Sequence, residues 1–207
     1  MELIIKKTVV GKWKVNCYLI ASGSEGWIVD PGDEVENIID CLDLNAFQLK
    51  GIINTHGHFD HIGAVASIKE KYTIPFFIHS KDKRIVTQGN LYRRMVGDAS
   101  VVATPLVDKY LDDLTTLDLG DRKILVHHIP GHSAGSVCFE IDDNLFCGDI
   151  FFGNNIGRTD LPGGNKNSLA MSVSYIFDKF IGFQIHPGHG ESFILDEPLI
   201  EKLKLKI

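Results

Sequence analysis

Three of the chain's nine histidines fall within the six residues His56-Gly57-His58-Phe59-Asp60-His61, beside a carboxylate. Imidazole and carboxylate suit zinc, iron or manganese, and a strand end followed by a glycine-bent loop can aim several such groups at one point. Residues 55–61 therefore read as the first half of a metal site, and the plainer alternative is a solvated histidine-rich turn. The metal reading requires further ligands from elsewhere in the chain. His132 in Pro130-Gly131-His132-Ser133, Asp149 in Gly148-Asp149 and His189 in Pro187-Gly188-His189-Gly190 offer them. Each follows an apolar, strand-like stretch, and glycines beside them let the backbone turn and approach closely. One metal takes three or four protein ligands, so the set His56, His58, Asp60, His61, His132, Asp149 and His189 suits two metals with an open, water-filled position. That is the chemistry of a binuclear hydrolytic site.

The elements that must position these groups follow from residue type and period. Strands are expected over 3–10, 15–22 and 26–29, with Gly11 at the first turn. Asp30-Pro31-Gly32 then makes a turn by the chemistry of proline and glycine. Asp33 with Glu36 resembles a capping box ahead of a helix marked by Val35, Ile38, Ile39 and Leu42. A strand over 49–55 delivers the histidine loop at its carboxyl end, where α/β sheets tend to place ligands. A helix over about 64–72, a short buried strand over 75–79 and a polar helical stretch from Lys81 follow. Residues 88–119 show no clean period and are expected to be a solvated connection, with a helix and a flap near the site as the alternative.

Strand patterns resume over 122–129, 136–141 and 145–147. A glycine-rich loop over 156–164 precedes an amphipathic helix whose one face carries Leu169, Val173, Ile176, Phe177 and Phe180. A brief strand over 184–186 leads to His189, and a charged tail after Pro198 closes the chain. The order of strands, helices and strand-end ligands occurs twice, which suggests two similar halves packed sheet to sheet with helices outside.

At 207 residues the chain fits one domain, 1–207, more easily than two. A hydrophobic content of 44% with 23% charged residues places it among globular α/β proteins and not among disordered ones. The net charge of -6 argues against a nucleic-acid partner, which needs a basic footprint. The N-terminus lacks a signal-peptide apolar region and no stretch is apolar enough to span a bilayer, so no membrane association is expected. Cys17, Cys41, Cys138 and Cys147 are scattered without a C-x-x-C pair, which predicts reduced, packed core residues in a cytoplasmic protein. His79, His127, His128 and His186 lie in or at the ends of strands and read as packed or surface imidazoles. His186 is the one most easily mistaken for a ligand, three residues before His189.

Taken in order, T-H-G-H-F-D-H, P-G-H-S, G-D and P-G-H-G resemble the metallo-β-lactamase superfamily. The motifs span 55–190, and the entry strands with D-P-G at Asp30 extend the likeness to nearly the whole chain. Within that superfamily, G-R-T-D-L-P-G-G and the compact length resemble the short bacterial form of glyoxalase II, the hydroxyacylglutathione hydrolases. The resemblance implies an α/β fold of the αββα sandwich kind, two mixed sheets face to face with helices on both outer faces. It also implies that His56, His58 and His132 hold one divalent ion, that Asp60, His61 and His189 hold the other, and that Asp149 bridges them. Zinc is the expected metal, with iron or manganese as alternatives. The implied reaction is attack of a metal-bound hydroxide, oriented by Asp60, on a thioester such as S-lactoylglutathione. Arg158 is the expected reader of a substrate carboxylate such as glutathione's, because a guanidinium suits bidentate capture; pairing with Asp160 to shape the loop is the competing role. Asp30 is expected to support the metal loop through hydrogen bonds.

The long glyoxalase II enzymes add a helical C-terminal domain with glutathione contacts, whereas this sequence ends shortly after His189. Another thioester is then an open alternative. So is a persulfide dioxygenase, which resembles these enzymes and would use one iron on His56, His132 and Asp149. A lactonase or β-lactamase and a phosphodiesterase of the same superfamily are chemically open, the latter disfavoured by the acidic charge.

Overall fold

The computed structural model describes residues 1–113 and 115–206. The first half runs β1 (Leu3–Val10), β2 (Val15–Ser22), β3 (Glu25–Val29), α1 (Val35–Leu42), β4 (Gln48–Ile53), α2 (Val65–Tyr72), β5 (Phe76–His79), α3 (Lys83–Thr87), α4 (Gly89–Met95) and β6 (Lys109–Leu111). The second runs β7 (Thr116–Leu119), β8 (Arg122–His128), β9 (Val137–Ile141), β10 (Asn144–Phe152), β11 (Asn155–Ile156), α5 (Lys166–Lys179), β12 (Gln184–His189), β13 (Phe193–Ile194) and α6 (Glu197–Lys204).

Side-chain alternation decides the layering. Along β2, Cys17, Leu19 and Ala21 face α1 and α2, while Tyr18 and Ile20 face the other way. Along β9 and β10, Cys138, Leu145 and Cys147 face α5 and α6, while Val137, Phe139, Ile141 and Phe146 face inward. The middle core therefore joins strand residues of both halves, including Trp27, Ile53, Phe77, Leu119, Ile124 and Val126, and among the described residues no helix contributes to it. Strands buried on both faces carry near-continuous apolar runs, as β2 does. The result is the αββα layering with mixed pairing: β3 to β6 are parallel neighbours, β7 to β10 antiparallel, and β10 and β12 parallel. The two sheets are not separate. A single residue pair, Val15 with His189, links β2 to β12 and makes the hydrogen-bonded path continuous.

Several expectations are corrected. The capping box does not form: Glu34, in a left-handed conformation, precedes α1 with no side-chain cap, and Asp33 Oδ1 accepts from its backbone N–H. Residues 88–119 are more than a connection. They hold α4, the edge strand β6 beside β5 and the edge strand β7 beside β8, and they bury Arg93, Leu111, Leu117 and Leu119; Leu114 lies outside the described residues. The charged tail is a helix, α6, started by Asp196, whose side chain accepts from the Leu199 N–H, and packed through Ile200 and Leu203. Cys41 is exposed on α1 instead of packed; the other three cysteines are buried, and all four are free. Among the described residues no helix is long and apolar enough to cross a membrane.

Candidate metal centre

All seven expected ligands meet at the edge where the two halves join. β4 ends at Ile53, and Asn54 then turns the chain by donating from its side chain to the His61 carbonyl, 2.7 Å away. The bend closes residues 55–61 into a loop with His56, His58 and His61 buried. Asp149 sits inside β10, beside a register break at Gly148, so the strand continues past it to Phe152 instead of ending before it. His189 is the last residue of β12, whose start is tied to β10 by parallel pairing. Asn16 and Tyr18 on β2 donate to the Pro187 carbonyl at 2.9 and 2.7 Å and hold the His189 loop from the other side.

Each of the five imidazoles has one nitrogen turned outward onto an oxygen. His58 Nε2 meets the Pro162 carbonyl at 3.2 Å, His132 Nδ1 the Arg158 carbonyl at 2.8 Å, and His189 Nδ1 the Lys14 carbonyl at 3.2 Å. His61 Nδ1 meets Asp30 Oδ2 at 3.1 Å. His56 Nδ1 meets Thr55 Oγ1 at 3.1 Å, and that hydroxyl has already donated its own proton to Asp30 at 2.6 Å. A carbonyl or carboxylate only accepts, so in each neutral ring these partners place the proton on the outward nitrogen and leave the inward one with a lone pair.

The inward nitrogens are what a metal ion would use. His58 Nδ1 and His132 Nε2 face each other at 2.8 Å, and His61 Nε2 and His189 Nε2 at 3.3 Å. His56 Nε2 and Asp149 Oδ1 are buried with no hydrogen-bond partner among the described residues. Facing lone pairs and orphaned buried acceptors are costly unless positive charge lies between them. The donor atoms of His56, His58 and His132 cluster within 4.8 Å of one another, as do those of Asp60, His61 and His189. Asp149 reaches both groups: Oδ2 is 3.6 Å from His132 Nε2 and 3.5 Å from His189 Nε2, and Oδ1 is 3.4 Å from His61 Nε2. The residues present fit the binding of divalent metal.

The ionisation equilibria show the same pull. Burial alone would raise Asp149 and Asp60, but His61 and His189 hold both below the ordinary carboxylate value. Burial would lower His61, yet Asp149 and Asp60 outweigh it and raise the ring well above 6.5. His189 is likewise pushed up to about 9 against its burial, by hydrogen bonds to Asp149 and Asp60. His58, by contrast, is lowered to about 4 by burial and the neighbouring His132. Protons thus compete for the places metal ions would occupy.

Asp30 also lies near His56 and His61. Its oxygens, however, are taken by the Thr55 N–H at 2.7 Å, the Thr55 hydroxyl and His61 Nδ1, which makes it an orienting group behind the ligands. His186 turns away to Asn144 and Ser192 and stacks on Phe146. His79 stacks on His128, and His127 pairs with Glu140, all apart from the cluster. Arg158 splits in two roles: its carbonyl holds His132, while its guanidinium grips both oxygens of Asp160 at 2.6 and 2.7 Å. The fork expected for a substrate carboxylate is spent on the loop.

Sequence reasoning missed Asp82. Fully buried, it accepts from the Gly57 N–H at 2.8 Å, the Ser133 hydroxyl at 2.7 Å and the Gly135 N–H at 2.7 Å, stitching the first ligand loop to the loop of His132. Its setting, Lys81-Asp82-Lys83, reads as a solvated charge run and carried no signal.

Comparison with known proteins agrees with this architecture. The family model of the metallo-beta-lactamase superfamily matches residues 10–189. A probable metallo-hydrolase of Bacillus subtilis, YqgX, is 33% identical over 200 residues, 93% of each chain. The hydroxyacylglutathione hydrolase GloC of Haemophilus influenzae is 31% identical over 176 residues, 79% of each. The crystal structure of TTHA1623 in a di-iron-bound form superposes with a TM-score of 0.83 at 32% identity, covering 91% of this chain and 94% of that one. The chain belongs to the metallo-beta-lactamase superfamily.

Proposed function

We propose that this metallo-hydrolase cleaves a thioester of the hydroxyacylglutathione kind, using two divalent ions. His56, His58 and His132 would hold one ion, Asp60, His61 and His189 the other, and Asp149 would join them. The observation that carries the reading is geometric: five outward nitrogens held by oxygens and five inward nitrogens converging beside Asp149. When bound, such a pair of ions lowers the pKa of a water to about 7 and polarises a carbonyl. Nitrogen and oxygen donors accept zinc, iron or manganese. The likeness to the Haemophilus influenzae hydrolase and the G-R-T-D-L-P-G-G loop support the thioester; the di-iron-bound relative supports two ions.

The chain's own groups divide the remaining work. Asp60, kept ionised by His61 and His189, would take a proton from an attacking water and orient it. The three buried cysteines have thiols pushed up by burial, so they offer no nucleophile. A departing thiolate is a good leaving group at neutral pH, so no separate acid is required. Hydrolysis of S-lactoylglutathione by protein loaded with zinc, iron or manganese, followed by metal counting, tests the reading. Two ions per chain and thioester turnover are expected, against a β-lactam as the control substrate. No turnover in any metal form, or one ferrous ion with oxygen consumption, would overturn it.

A further inference from the structure

We propose that a groove beside His58 is the acyl subsite, and that it selects thioesters whose acyl group is an extended apolar chain; this rests on the thioester reading above. The groove encloses about 390 Å³, within the range of about 300–1,000 Å³ typical of small-molecule pockets and more than a lactoyl group fills. One wall comes from α4 and the residue that ends it, through Tyr92, Met95 and Val96. The other comes from Leu161 and Pro162, and the floor from His58 and Phe59.

Position, charge and rigidity each support this occupant. His58 lines the groove while its Nδ1 points to His132, so a substrate whose carbonyl lies at the metal centre extends directly into the groove. Among the described residues no lysine or arginine lines it, and the acidic residue that does, Asp160, is engaged by Arg158 through both oxygens. The carboxylates of a glutathione moiety would meet no cation there. The Tyr92 hydroxyl is spent on Gln88 at 2.7 Å, which leaves its ring as an apolar surface. Met95 is 73% exposed and Val96 40%, so their apolar area is available to be covered.

Behind the wall, buried Arg93 fixes the shape. Its guanidinium lies 5.6 Å from the Phe59 ring centre, donates to the Phe59 carbonyl at 3.4 Å, and reaches Asp98 and Ser100 at 2.9 Å. α4 is thereby tied to the loop that carries the ligands. A preformed wall lowers the ordering cost that an apolar chain would otherwise have to offset.

The test uses uncleavable ketone analogues, with methylene in place of the thioester sulfur and one neutral head group, from acetyl to decanoyl. Binding to the metal-loaded protein is measured by calorimetry. Kd is expected to fall about fourfold per added methylene until the groove is full. Met95→Lys should flatten that dependence, whereas Met171→Lys, on an exposed position of α5, should preserve it. A Kd that ignores chain length in the wild type, or a Met95→Lys dependence equal to wild type, would overturn the assignment. Turnover of the matching thioesters separates the two readings. Hydrolysis with kcat/KM independent of chain length keeps the thioester reading and removes the acyl groove. Length-dependent binding without hydrolysis keeps the apolar groove and removes the thioester reading.

Discussion

Asp30 shows how much a single side chain behind the ligands controls. It has a φ of 50, a left-handed value unusual for a residue with a Cβ, and from there its carboxylate reaches Thr55 and His61 together. Replacing it by Asn keeps the shape but removes an acceptor oxygen, so the tautomer of His61 is no longer fixed. Asp30→Asn is expected to weaken metal binding by about 10–100-fold, read by competition with a chelator, with the fold preserved by circular dichroism. Asp82 acts differently, because it holds two loops and touches no ligand atom. Asp82→Ala leaves the Gly57 and Gly135 N–H groups and the Ser133 hydroxyl without their acceptor. Orphaned buried donors of this kind cost about 1–3 kcal/mol each, so urea unfolding should show a loss of at least about 2 kcal/mol. An unchanged midpoint would mean that water replaces the carboxylate.

At the scale of elements, the ligands owe their convergence to two strands that approach each other more closely than a side chain allows. A Cβ at Gly188 on β12 would stand 2.1 Å from Asp149 Oδ1 and 2.8 Å from His61 Cε1. One at Gly148 on β10, where φ is +50, would stand 2.2 Å from Thr55 Oγ1. Gly188→Ala should therefore displace Asp149 and lower the metal content per chain relative to the wild type. Elemental analysis checks this, and intact far-ultraviolet circular dichroism would show that the strands survive.

The same glycines explain why the site was legible in the sequence. Each ligand-bearing segment follows an apolar strand and contains a glycine next to at least one ligand, a pattern visible without coordinates. The strands β1 and β2 were legible to the residue because their apolar runs are bounded by Gly11 and Gly23. β6 and β7 were not, since short edge strands alternate polar and apolar residues over three or four positions, too few to set a period. α6 was hidden by its charges, although Asp196 and Pro198 marked its start. Asp82 and Arg93 are buried only by tertiary contacts, and local sequence holds no trace of those.

For the whole molecule, the metal centre couples folding to pH because it lies where both halves meet and includes His189, whose pairing with Val15 joins β12 to β2. In chelator-treated protein, His189 is raised from an ordinary 6.5 to about 9 by Asp149 and Asp60. A ring whose folded pKa lies above its unfolded value contributes stability that is fully present below pH 6.5. That contribution is lost as pH rises through about 9. It amounts to at most about 3 kcal/mol, and the upward shift of His61 acts in the same direction. A bound ion needs the same nitrogens unprotonated, so between pH 6.5 and 9 loading releases protons and affinity rises as the competing protons leave. Metal-loaded protein should then keep its Tm across this window while the chelated protein's Tm falls, so the gap between them widens with pH. Differential scanning calorimetry of both forms at pH 6.5, 7.5 and 9 measures it. A gap that is constant or narrows toward pH 9 would show that His61 and His189 are not the groups that the ions displace protons from.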